Sequence, residues 1–336
     1  MSQPAQPCRA VAKIPSEKAL SRITVVLTVY RRPNMIGPLL EAIRQQTVRA
    51  SQIWIWSNNS MLQISAGMNQ AKPDRVITSS ANAYFHARFA LALTTLTEYV
   101  AIFDDDSIPG PRWFENCLAT MERTPGILGC AGVRLHDACY ATATKHGWHA
   151  PTNETVEVDL VGHAWFLRTE WLHWMFAEPA ELGTNGEDIE LAARAMRFAG
   201  IPCYCPPHPP DDKSLWGSTR GGELGDDEHA SFRRATHIVE RDQIVQAEIR
   251  KGWRPLFMRS QLGTIGRAAA ELPGNDTSSN PSLPRGAPLE RNHQATEPDA
   301  PSQLDDVSAR LIAAIPETAD RVAAHRNRRH CHRGSA

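Results

Sequence analysis

Four short apolar runs near the start of the chain constrain its fold more than any other feature. They are Ile23 to Val29, Gln52 to Ser57, Arg75 to Thr78 and Tyr99 to Phe103. Each is too short for a typical helix, and β-branched or aromatic residues are frequent in them, so we predict four buried strands. Helical patterns lie between these runs. Strands that alternate with helices predict right-handed crossovers and a parallel sheet, which makes this an α/β fold.

Apolar residues recur at helical spacing between the predicted strands and again in the second half of the chain. Phe85, Phe89, Leu93 and Leu96 fall at i, i+4, i+8 and i+11, on one side of a helix. Further along, we predict extended segments from Val156 to Leu167, a buried strand at Cys203, and helices over Glu170 to Phe176, Glu187 to Ala199 and Asp226 to Lys251.

Composition divides the chain into three parts. Residues 1–21 are polar and Pro-rich, without the apolar core of a secretory signal, and we predict that they are disordered. Residues 22–272 contain the predicted strands and form one domain, with a first half over 22–134 and a second half over 135–272. Residues 273–301 are dense in Pro, Ser, Asn and Gly, which predicts a largely disordered tail over 273–336 with a short helix around Leu311.

The charge balance and the cysteine content narrow the range of functions and locations. The net charge is −1, with 36 Lys and Arg against 37 Asp and Glu, so nothing favours a nucleic-acid partner. No run of residues is long and apolar enough to predict a transmembrane segment. Seven widely scattered cysteines are typical of reduced thiols rather than of a disulfide framework. Together these features predict a cytoplasmic protein.

Three consecutive aspartates, Asp104, Asp105 and Asp106, follow the fourth predicted strand directly. Adjacent carboxylates repel each other and are costly to desolvate unless a cation neutralises them. Mg²⁺ and Mn²⁺ prefer carboxylate oxygen and bridge to phosphate, so a divalent metal site is one interpretation. The other is an acidic turn in solvent that caps a helix starting near Pro111. The cluster alone leaves both open.

Two further groups of residues favour a binding site. Tyr30, Arg31, Asn58 and the aspartates all follow predicted parallel strands, and ligands bind at the carboxyl ends of such strands. Downstream, Gly186 precedes Glu187 and Asp188 at the start of a predicted helix, where a glycine permits close backbone approach. Acids at a helix start also stabilise its positive end, which explains them without a catalytic role.

Four segments, in this order, resemble GT-A glycosyltransferases. ITVVLTVYRRP and IWIWSNNS resemble the nucleotide-binding start of these enzymes, and VAIFDDDSIPGPRW resembles their Asp-x-Asp (DXD) element. NGEDIELAARAMRFAGI resembles the Glu-Asp helix of family 2 enzymes and of exostosin-like transferases. The match spans Arg22 to Trp216. It implies a GT-A fold, which is a Rossmann-like, mostly parallel sheet with flanking helices.

The resemblance implies that residues 22–134 are the nucleotide-binding half and residues 135–272 the acceptor half of a glycosyltransferase domain. It also implies an activity and a set of site residues. We expect transfer of a sugar from a nucleotide-sugar, a UDP-sugar, to a hydroxyl of a glycan or other acceptor, with inversion. We expect Asp188 to be the base and Glu187 to hold the sugar or acceptor, and Mn²⁺ or Mg²⁺ to bind Asp104, Asp106 and His208. The donor is expected to contact Thr28, Tyr30, Arg31, Asn58, Arg88, Asp104 and Asp105, and the acceptor His163, Trp165 and Trp216. A structural role for His208, and packing roles for the three acceptor residues, remain open.

Two alternative functions are kept. A phosphotransferase or phosphatase of the haloacid dehalogenase type also has Asp-x-Asp after a strand, although it continues with Thr or Val where this chain has Ile108. That motif also normally follows the first strand of its fold. The second alternative is a catalytically inactive nucleotide-sugar-binding module. Asn58 is compatible with it, because the family often has an aspartate near the uracil at that position.

Overall fold

The computed structural model describes residues 22–58, 73–228 and 230–259. The chain divides into two units, residues 1–271 and 272–336, and the described residues all belong to the first. The segments predicted to be disordered, residues 1–21 and 273–336, and the predicted helix around Leu311 therefore lie outside the described residues. The domain boundaries drawn from composition stay a prediction.

A nine-stranded sheet forms the centre of the described structure, in the order β3-β2-β1-β4-β8-β5-β9-β7 with β6 beside β5. The four strands predicted near the start of the chain, β1 to β4, are confirmed at their predicted bounds. The strands are β1 (Ile23–Val29), β2 (Gln52–Ser57), β3 (Arg75–Thr78), β4 (Tyr99–Phe103), β5 (Ile127–Arg134), β6 (Thr144–Gly147), β7 (Val156–Val158), β8 (Leu160–Arg168) and β9 (Cys203–Cys205).

The two halves of the sheet differ in strand direction. β1 pairs in parallel with β2 and β4, and β2 pairs in parallel with β3. β8 then inserts antiparallel between β4 and β5. The α/β fold is confirmed, and its parallel part is the half that carries the residues predicted to bind a nucleotide. The carboxyl ends of β1, β2, β3 and β4 meet at one edge because these strands run in the same direction.

Five helices with both ends inside the described residues accompany this sheet: α1 (Ile36–Arg44), α2 (His86–Ala92), α3 (Trp113–Arg123), α4 (Glu187–Ala199) and α5 (His237–Arg250). Two predicted helices are shorter than expected. α2 ends at Ala92, and Leu96 is fully exposed because the chain turns there toward β4. α5 starts at His237 rather than near Asp226, since the apolar repeat begins only at Ile238. Thr169–Phe176 is a 3-10 helix.

Apolar side chains cover the sheet on both faces. Along β1, Val26 belongs to one hydrophobic cluster, whereas Val25 and Leu27 belong to the other. This alternation is the period of two that a strand imposes on its side chains. The second cluster includes residues of α1 and α3, and the first includes residues of α2, α4 and α5.

Glu190 and Arg194 on α4, whose i, i+4 spacing would also suit a surface ion pair, form a buried one. The two side chains are 3.2 Å apart, and each is at most 1% exposed. Arg194 also donates to the carbonyl oxygens of Met175 and Glu178. Arg194 therefore fixes α4 against the end of the 3-10 helix Thr169–Phe176 and the residues that follow it.

The helices and the cysteines are the two features of the structure that relate to the predicted environment of the protein. Within the described ranges, every helix is too short or too polar to cross a bilayer. The five cysteines of those ranges are all free thiols, and four of them are buried. The cytoplasmic location itself stays a prediction.

Candidate active site

The acidic cluster lies directly after the buried strand β4. Asp104 donates its backbone N–H to the carbonyl oxygen of His163 on β8 at 2.9 Å. Asp105 is buried, and its Oδ2 accepts a hydrogen bond of 3.1 Å from the backbone N–H of Tyr30. These contacts anchor the cluster between the end of β1 and strand β8, at the carboxyl edge of the parallel strands.

An irregularity in β8 brings a histidine to this cluster. Two residues of β8, His163 and Ala164, stand opposite the single residue Cys130 of β5, because the pairing register shifts between Gly129 and Ala131. Such a bulge re-aims the side chain at the extra position. His163 also has a φ of 66°, a conformation that costs about 1 kcal/mol or more for a residue with a side chain. The strained backbone makes this side chain a functional candidate.

Asp104, Asp106 and His163 form a group that fits a metal ion. His163 Nδ1 lies 3.8 Å from Asp104 Oδ2 and 3.8 Å from Asp106 Oδ1. One ligand atom from each residue lies within 4.8 Å of the others. Ligands about 2.1 Å from an octahedral ion are about 3 to 4 Å apart, so small side-chain rotations would complete the coordination. Carboxylate oxygen suits both Mn²⁺ and Mg²⁺, and the imidazole favours the transition metal.

The electrostatics of the cluster also fit a cation. Burial, and after it the charge of Asp106, raises the pKa of Asp105 to about 7. Burial acts in the same direction on Asp106, but His163 and Arg32 outweigh it and lower the pKa of that carboxyl. Neighbouring cations therefore offset only part of the negative charge, and a bound metal ion would offset more of it.

Arg32 connects this cluster to the loop that contains Gly225 and Asp227, which covers the cluster. Its Nη1 donates to Asp105 Oδ1 at 2.8 Å and to Asp106 Oδ2 at 3.1 Å. Its Nε and Nη2 each donate to the carboxylate of Asp227 at 2.8 Å. The loop passes so close that a Cβ built on Gly225, whose φ is 77°, would lie 2.0 Å from Asp106 Oδ2. Only glycine fits at that position.

Arg88 connects the cluster with the acidic start of α4. Its buried guanidinium forms ion pairs with Asp104 and, at 2.8 Å, with Glu187. It also lies 4.6 Å from the ring centre of Trp165, a favourable cation–π distance. Burial, and then the charge of Asp188, raises the pKa of Glu187. Two carboxylates therefore bind the guanidinium of Arg88, through Nη1 and Nη2. Its predicted contact with the donor would have to be made in addition to these ion pairs.

Asp188 follows Glu187 in the first turn of α4 and lies close to Gly162 of β8. Its Oδ2 accepts a hydrogen bond of 2.6 Å from Arg241 Nη2 on α5. A Cβ built on Gly162 would lie 4.0 Å from the same oxygen, so the carboxylate faces β8 next to the candidate metal group. Gly186 starts this helix with a φ of 78°, and a Cβ there would collide with a side chain of α5. The glycine is therefore required for α4 and α5 to pack this closely.

Two adjoining cavities, of about 760 Å³ and about 380 Å³, border these groups. Arg88, Asp104 and His163 line both. The smaller cavity is also lined by Trp165, Glu187 and Asp188. Every predicted donor residue lines the larger cavity: Thr28, Tyr30, Arg31, Asn58, Arg88, Asp104 and Asp105.

Two predicted site residues lie in the core instead. His208 is fully buried, its Nδ1 donates to the carbonyl oxygen of Pro206 at 2.7 Å, and its ring packs against Trp113 and Trp216. Trp216 is 6% exposed, and its Nε1 donates to the carbonyl oxygen of Pro209. Neither residue lines either of the two cavities described above, and neither belongs to the metal group found among the described residues. The Pro-rich loop folds back on α3 and places both side chains in packing positions, while the predicted roles of His208 as a metal ligand and of Trp216 as an acceptor contact stay untested.

Comparison with known proteins identifies the family. The sequence model of glycosyl transferase family 2 matches residues 24–199, just over half of the chain, and includes the Asp cluster and the Glu-Asp helix. The chain belongs to glycosyl transferase family 2. This membership confirms the GT-A fold and excludes the dehalogenase-type alternative. The resemblance to exostosin-like transferases stays a prediction.

Solved structures provide more distant similarities to this family 2 chain. The mannosyltransferase PcManGT from Pyrobaculum calidifontis, in complex with GDP-Man and Mn²⁺, is 17% identical over 74% of this chain and 75% of its own, with a TM-score of 0.48. S. aureus TarS is 15% identical over 55% of this chain, with a TM-score of 0.41. The TarS 1–349 structure with UDP is 16% identical, with the same coverage of this chain, 57% of its own and the same TM-score.

The extent of these similarities is limited. The matched part of this family 2 chain spans 36% of the TarS chain. Among curated proteins, none matches the sequence.

Three residues of this glycosyltransferase site were not predicted in the roles that the structure suggests. Arg32 contacts the Asp cluster, whereas the predicted Arg31 has a positive φ of 62° and stacks on Tyr30. His163 joins the metal group, although it was predicted to bind the acceptor. Arg241 was not singled out at all. The sequence does not show which of the adjacent arginines, Arg31 or Arg32, contacts the aspartates. No local pattern connects Arg241 to Asp188 either, because the two residues are 53 positions apart in the sequence.

Proposed function

We propose that this chain transfers a sugar from a UDP-sugar to an acceptor hydroxyl, with a divalent cation and with inversion at the sugar carbon. One observation carries this proposal. The carboxylate–imidazole group of Asp104, Asp106 and His163 lines the larger cavity, and Asp188 lines the smaller one directly beside it. A cation site and an acid on neighbouring cavities are the parts that this reaction needs.

The larger cavity is proposed as the donor site. Its volume of about 760 Å³ is within the range of small-molecule sites, which is about 300 to 1,000 Å³. It extends along the carboxyl edge of β1 to β4, from Asn58 to the Asp cluster. A nucleoside diphosphate that lies along this edge would have its phosphates at the cation site and its base near Asn58.

Asp104, Asp106 and His163 would hold the cation, for which we propose Mn²⁺. A bound divalent cation would neutralise the negative charge that develops on the leaving diphosphate. Asp105 is bound by Tyr30 N–H and by Arg32, so it is proposed to orient the donor rather than to bind the metal. Arg32 would keep the covering loop next to the cation site through Asp227.

Asp188 is proposed as the base that takes the proton from the acceptor hydroxyl. Its carboxylate is positioned by Arg241 and faces the smaller cavity, where the acceptor would bind beside Trp165. Glu187, held by Arg88, would stabilise positive charge on the sugar ring and contact the sugar or the acceptor. A single base that acts on the acceptor predicts inversion. Exostosin-like transferases, which the start of α4 also resembles, retain the configuration of the sugar carbon. That resemblance therefore predicts retention instead.

The proposal is tested by incubating the purified chain with a panel of nucleotide-sugars and hydroxyl acceptors, with Mn²⁺ or with EDTA. We expect Mn²⁺-dependent release of the nucleoside diphosphate from one donor. The anomeric configuration of the product, read by proton NMR, decides between inversion and retention. Binding of a nucleotide-sugar without release of the diphosphate would favour the inactive binding module instead. If no donor binds at all, the donor site proposed here is wrong.

A further inference from the structure

The smaller cavity has a largely apolar floor, formed by three neighbouring strands. Val133 of β5 lies opposite Lys145 of β6 on one side and opposite Leu160 of β8 on the other. Residues that are directly opposite in antiparallel strands share a face of the sheet. Ala131 and Gly162 are opposite each other two residues further along, on that same face. All five residues line the smaller cavity, and Lys145 is the one among them with a polar side chain.

Two exposed apolar side chains line the same cavity near the start of α5. Phe232, in the 3-10 helix Ser231–Arg233, is 57% exposed, and Ile238, in the first turn of α5, is 39% exposed. Val239, the next residue, is 58% exposed but lines neither of the two cavities. Single exposed apolar side chains are common on protein surfaces. Two that border a cavity of ligand size offer apolar area that a ligand can cover.

Several polar side chains that line this cavity are already hydrogen-bonded within the chain. Both terminal nitrogens of Arg88 bind carboxylates. Arg241 donates to Asp188 and to Asn185 Oδ1, and Asn185 Nδ2 donates to Glu240 at 2.9 Å. An acceptor covered with hydroxyls would lose hydrogen bonds to water in this cavity and find few of these donors free in return. These contacts favour an acceptor with a smaller polar surface.

The size of the cavity limits how large the apolar part of a ligand can be. Its volume of about 380 Å³ is in the lower part of the range of small-molecule sites, which is about 300 to 1,000 Å³. Asp188, the proposed base, lines this cavity, and a base must lie within hydrogen-bond distance of the hydroxyl that it deprotonates. The part of the acceptor next to that hydroxyl therefore lies in this cavity, where a ring or a short alkyl chain fits beside it.

The charges around Phe232 favour a small acceptor over a lipid surface. The next two residues in the sequence are Arg233 and Arg234, which could attract anionic headgroups. Arg233 pairs with Asp226 at 2.6 Å, and Arg234 pairs with Glu240 at 2.8 Å. Both positive charges are thus offset within the chain, so the apolar side chain is the feature of this segment that remains for a ligand.

We propose that the acceptor carries an apolar group, an aromatic ring or a short alkyl chain, next to the hydroxyl that receives the sugar. Phe232 and Ile238 bind this group above the floor formed by Val133 and Leu160. Burial of apolar surface then supplies acceptor affinity, while Asp188 takes the proton of the hydroxyl. This inference rests on the proposed function and names its class of acceptor.

The test uses sets of three glycosides that differ only in the group on the anomeric oxygen. They are the methyl, phenyl and hexyl β-glycosides of glucose, of galactose and of N-acetylglucosamine. With the donor that supports nucleotide release, KM is measured for each glycoside, or the inhibition constant where it is not a substrate. We expect the phenyl or the hexyl member of each set to bind at least about tenfold more tightly than the methyl member, because it buries more apolar area. A preference for phenyl indicates a ring, and a preference for hexyl indicates a chain.

Three variants connect this preference to the cavity wall. Ile238→Ser and Phe232→Ser should each reduce the preference over the methyl glycoside by at least about threefold, because each removes apolar contact area. Val239→Ser is the matched control, since it removes a similarly exposed apolar side chain that lines neither cavity. It should leave the preference unchanged. Phe232 also borders the larger cavity, so all constants are measured at saturating donor. Thermal unfolding checks the fold, and Phe232→Ser, outside α5, remains the test if Ile238→Ser does not fold.

A lipid surface as the occupant is tested separately, by cosedimentation of the chain with vesicles of phosphatidylcholine and phosphatidylglycerol. We expect no binding to the vesicles. Vesicle binding that Phe232→Ser and Val239→Ser weaken equally, together with equal constants for the three glycosides, would assign these side chains to a membrane and overturn the inference.

The outcomes separate this inference from the proposed function. Equal constants within every set, or a preference that survives in folded Ile238→Ser and Phe232→Ser, overturns the apolar acceptor alone, because acceptor-dependent nucleotide release would still stand. If the native chain releases no nucleoside diphosphate from any donor with any acceptor, the proposed function is wrong and the inference fails with it.

Discussion

Arg241 donates a hydrogen bond of 2.6 Å to Asp188, and its guanidinium lies 4.1 Å from the ring centre of Tyr140. The side chains of Arg241 and Asp188 are 6% and 12% exposed, so water screens the pair only weakly. A charge-assisted bond of this length restricts the direction of the carboxylate. The position of the proposed base therefore depends on α5, although the base itself is at the start of α4.

The first prediction concerns this ion pair. Arg241→Met should lower kcat by about tenfold or more, because a misplaced catalytic group loses the benefit of orientation. Arg241→Lys should restore only part of the loss, since an ammonium cannot reproduce the planar fork of a guanidinium. The donor dissociation constant, measured by calorimetry, should change little in both. A folded Arg241→Met protein with native kcat would show that Asp188 needs no such support.

The second prediction concerns Asp188 itself. Asp188→Asn should lower kcat by about 10² or more, the scale for losing a general base, while donor affinity stays near that of the native chain. Its amide oxygen can still accept from Arg241, so the fold should be retained. Glu187→Gln should have a milder effect that appears more in the acceptor KM. Near-native turnover of folded Asp188→Asn would mean that the base is elsewhere or that the reaction retains configuration.

The third prediction concerns the metal. Asp106→Asn should remove most of the Mn²⁺-dependent affinity for the donor, because it replaces a carboxylate ligand by a weaker neutral oxygen. Calorimetry with Mn²⁺ and with EDTA measures the effect. Asp211→Asn is the matched control, since Asp211 is exposed and lines neither cavity. Donor binding that is equally strong in EDTA would argue against any metal at this cluster.

The fourth prediction concerns His208 and acid stability. Burial lowers the pKa of His208 to about 4, below its ordinary value near 6.5. Between these two pH values the unfolded chain binds a proton at His208 and the folded chain does not, so stability decreases as the pH falls. The loss amounts to at most about 3 kcal/mol.

His208→Asn measures this contribution, because it keeps a donor for the carbonyl oxygen of Pro206 but cannot titrate. Its free energy of unfolding, followed by urea denaturation from pH 7 to pH 4, should decrease less steeply than that of the native chain. Mn²⁺-dependent donor binding should be unaffected at pH 7. Parallel pH dependences would show that His208 is accessible to protons in the folded state, and lost Mn²⁺ dependence would restore its predicted role as a ligand.

The fifth prediction concerns the segment after Leu272. Because this segment is poor in large apolar residues, we predict that a chain that ends at Leu272 keeps its melting temperature and its transferase activity. Thermal unfolding and nucleotide release are the measurements. Loss of activity in a shortened chain that still folds would give the predicted helix around Leu311 a functional role.

Much of the first half, residues 22–134, was predictable from sequence because its signals are local. Each of the strands β1 to β4 is a short apolar run, and each is followed by a residue with a polar group: Tyr30, Asn58, Ser79 and Asp104. The period of the side chains and the direction of the strands then place Tyr30, Asn58 and Asp104 at the same edge. Gly186 with the two acids after it similarly indicates the start of α4.

The tertiary structure alone decided which distant side chains complete the site. β8 inserts antiparallel beside β4, and its bulge turns His163 toward the aspartates, whereas the loop with His208 and Trp216 folds into the core. Arg32 and Arg241 reach their acids across 73 and 53 residues of sequence. The sequence by itself determined the elements with a repeating pattern and the edge at which their polar ends meet. Contacts between such distant residues arise from the packing of whole elements, and no local periodicity encodes them.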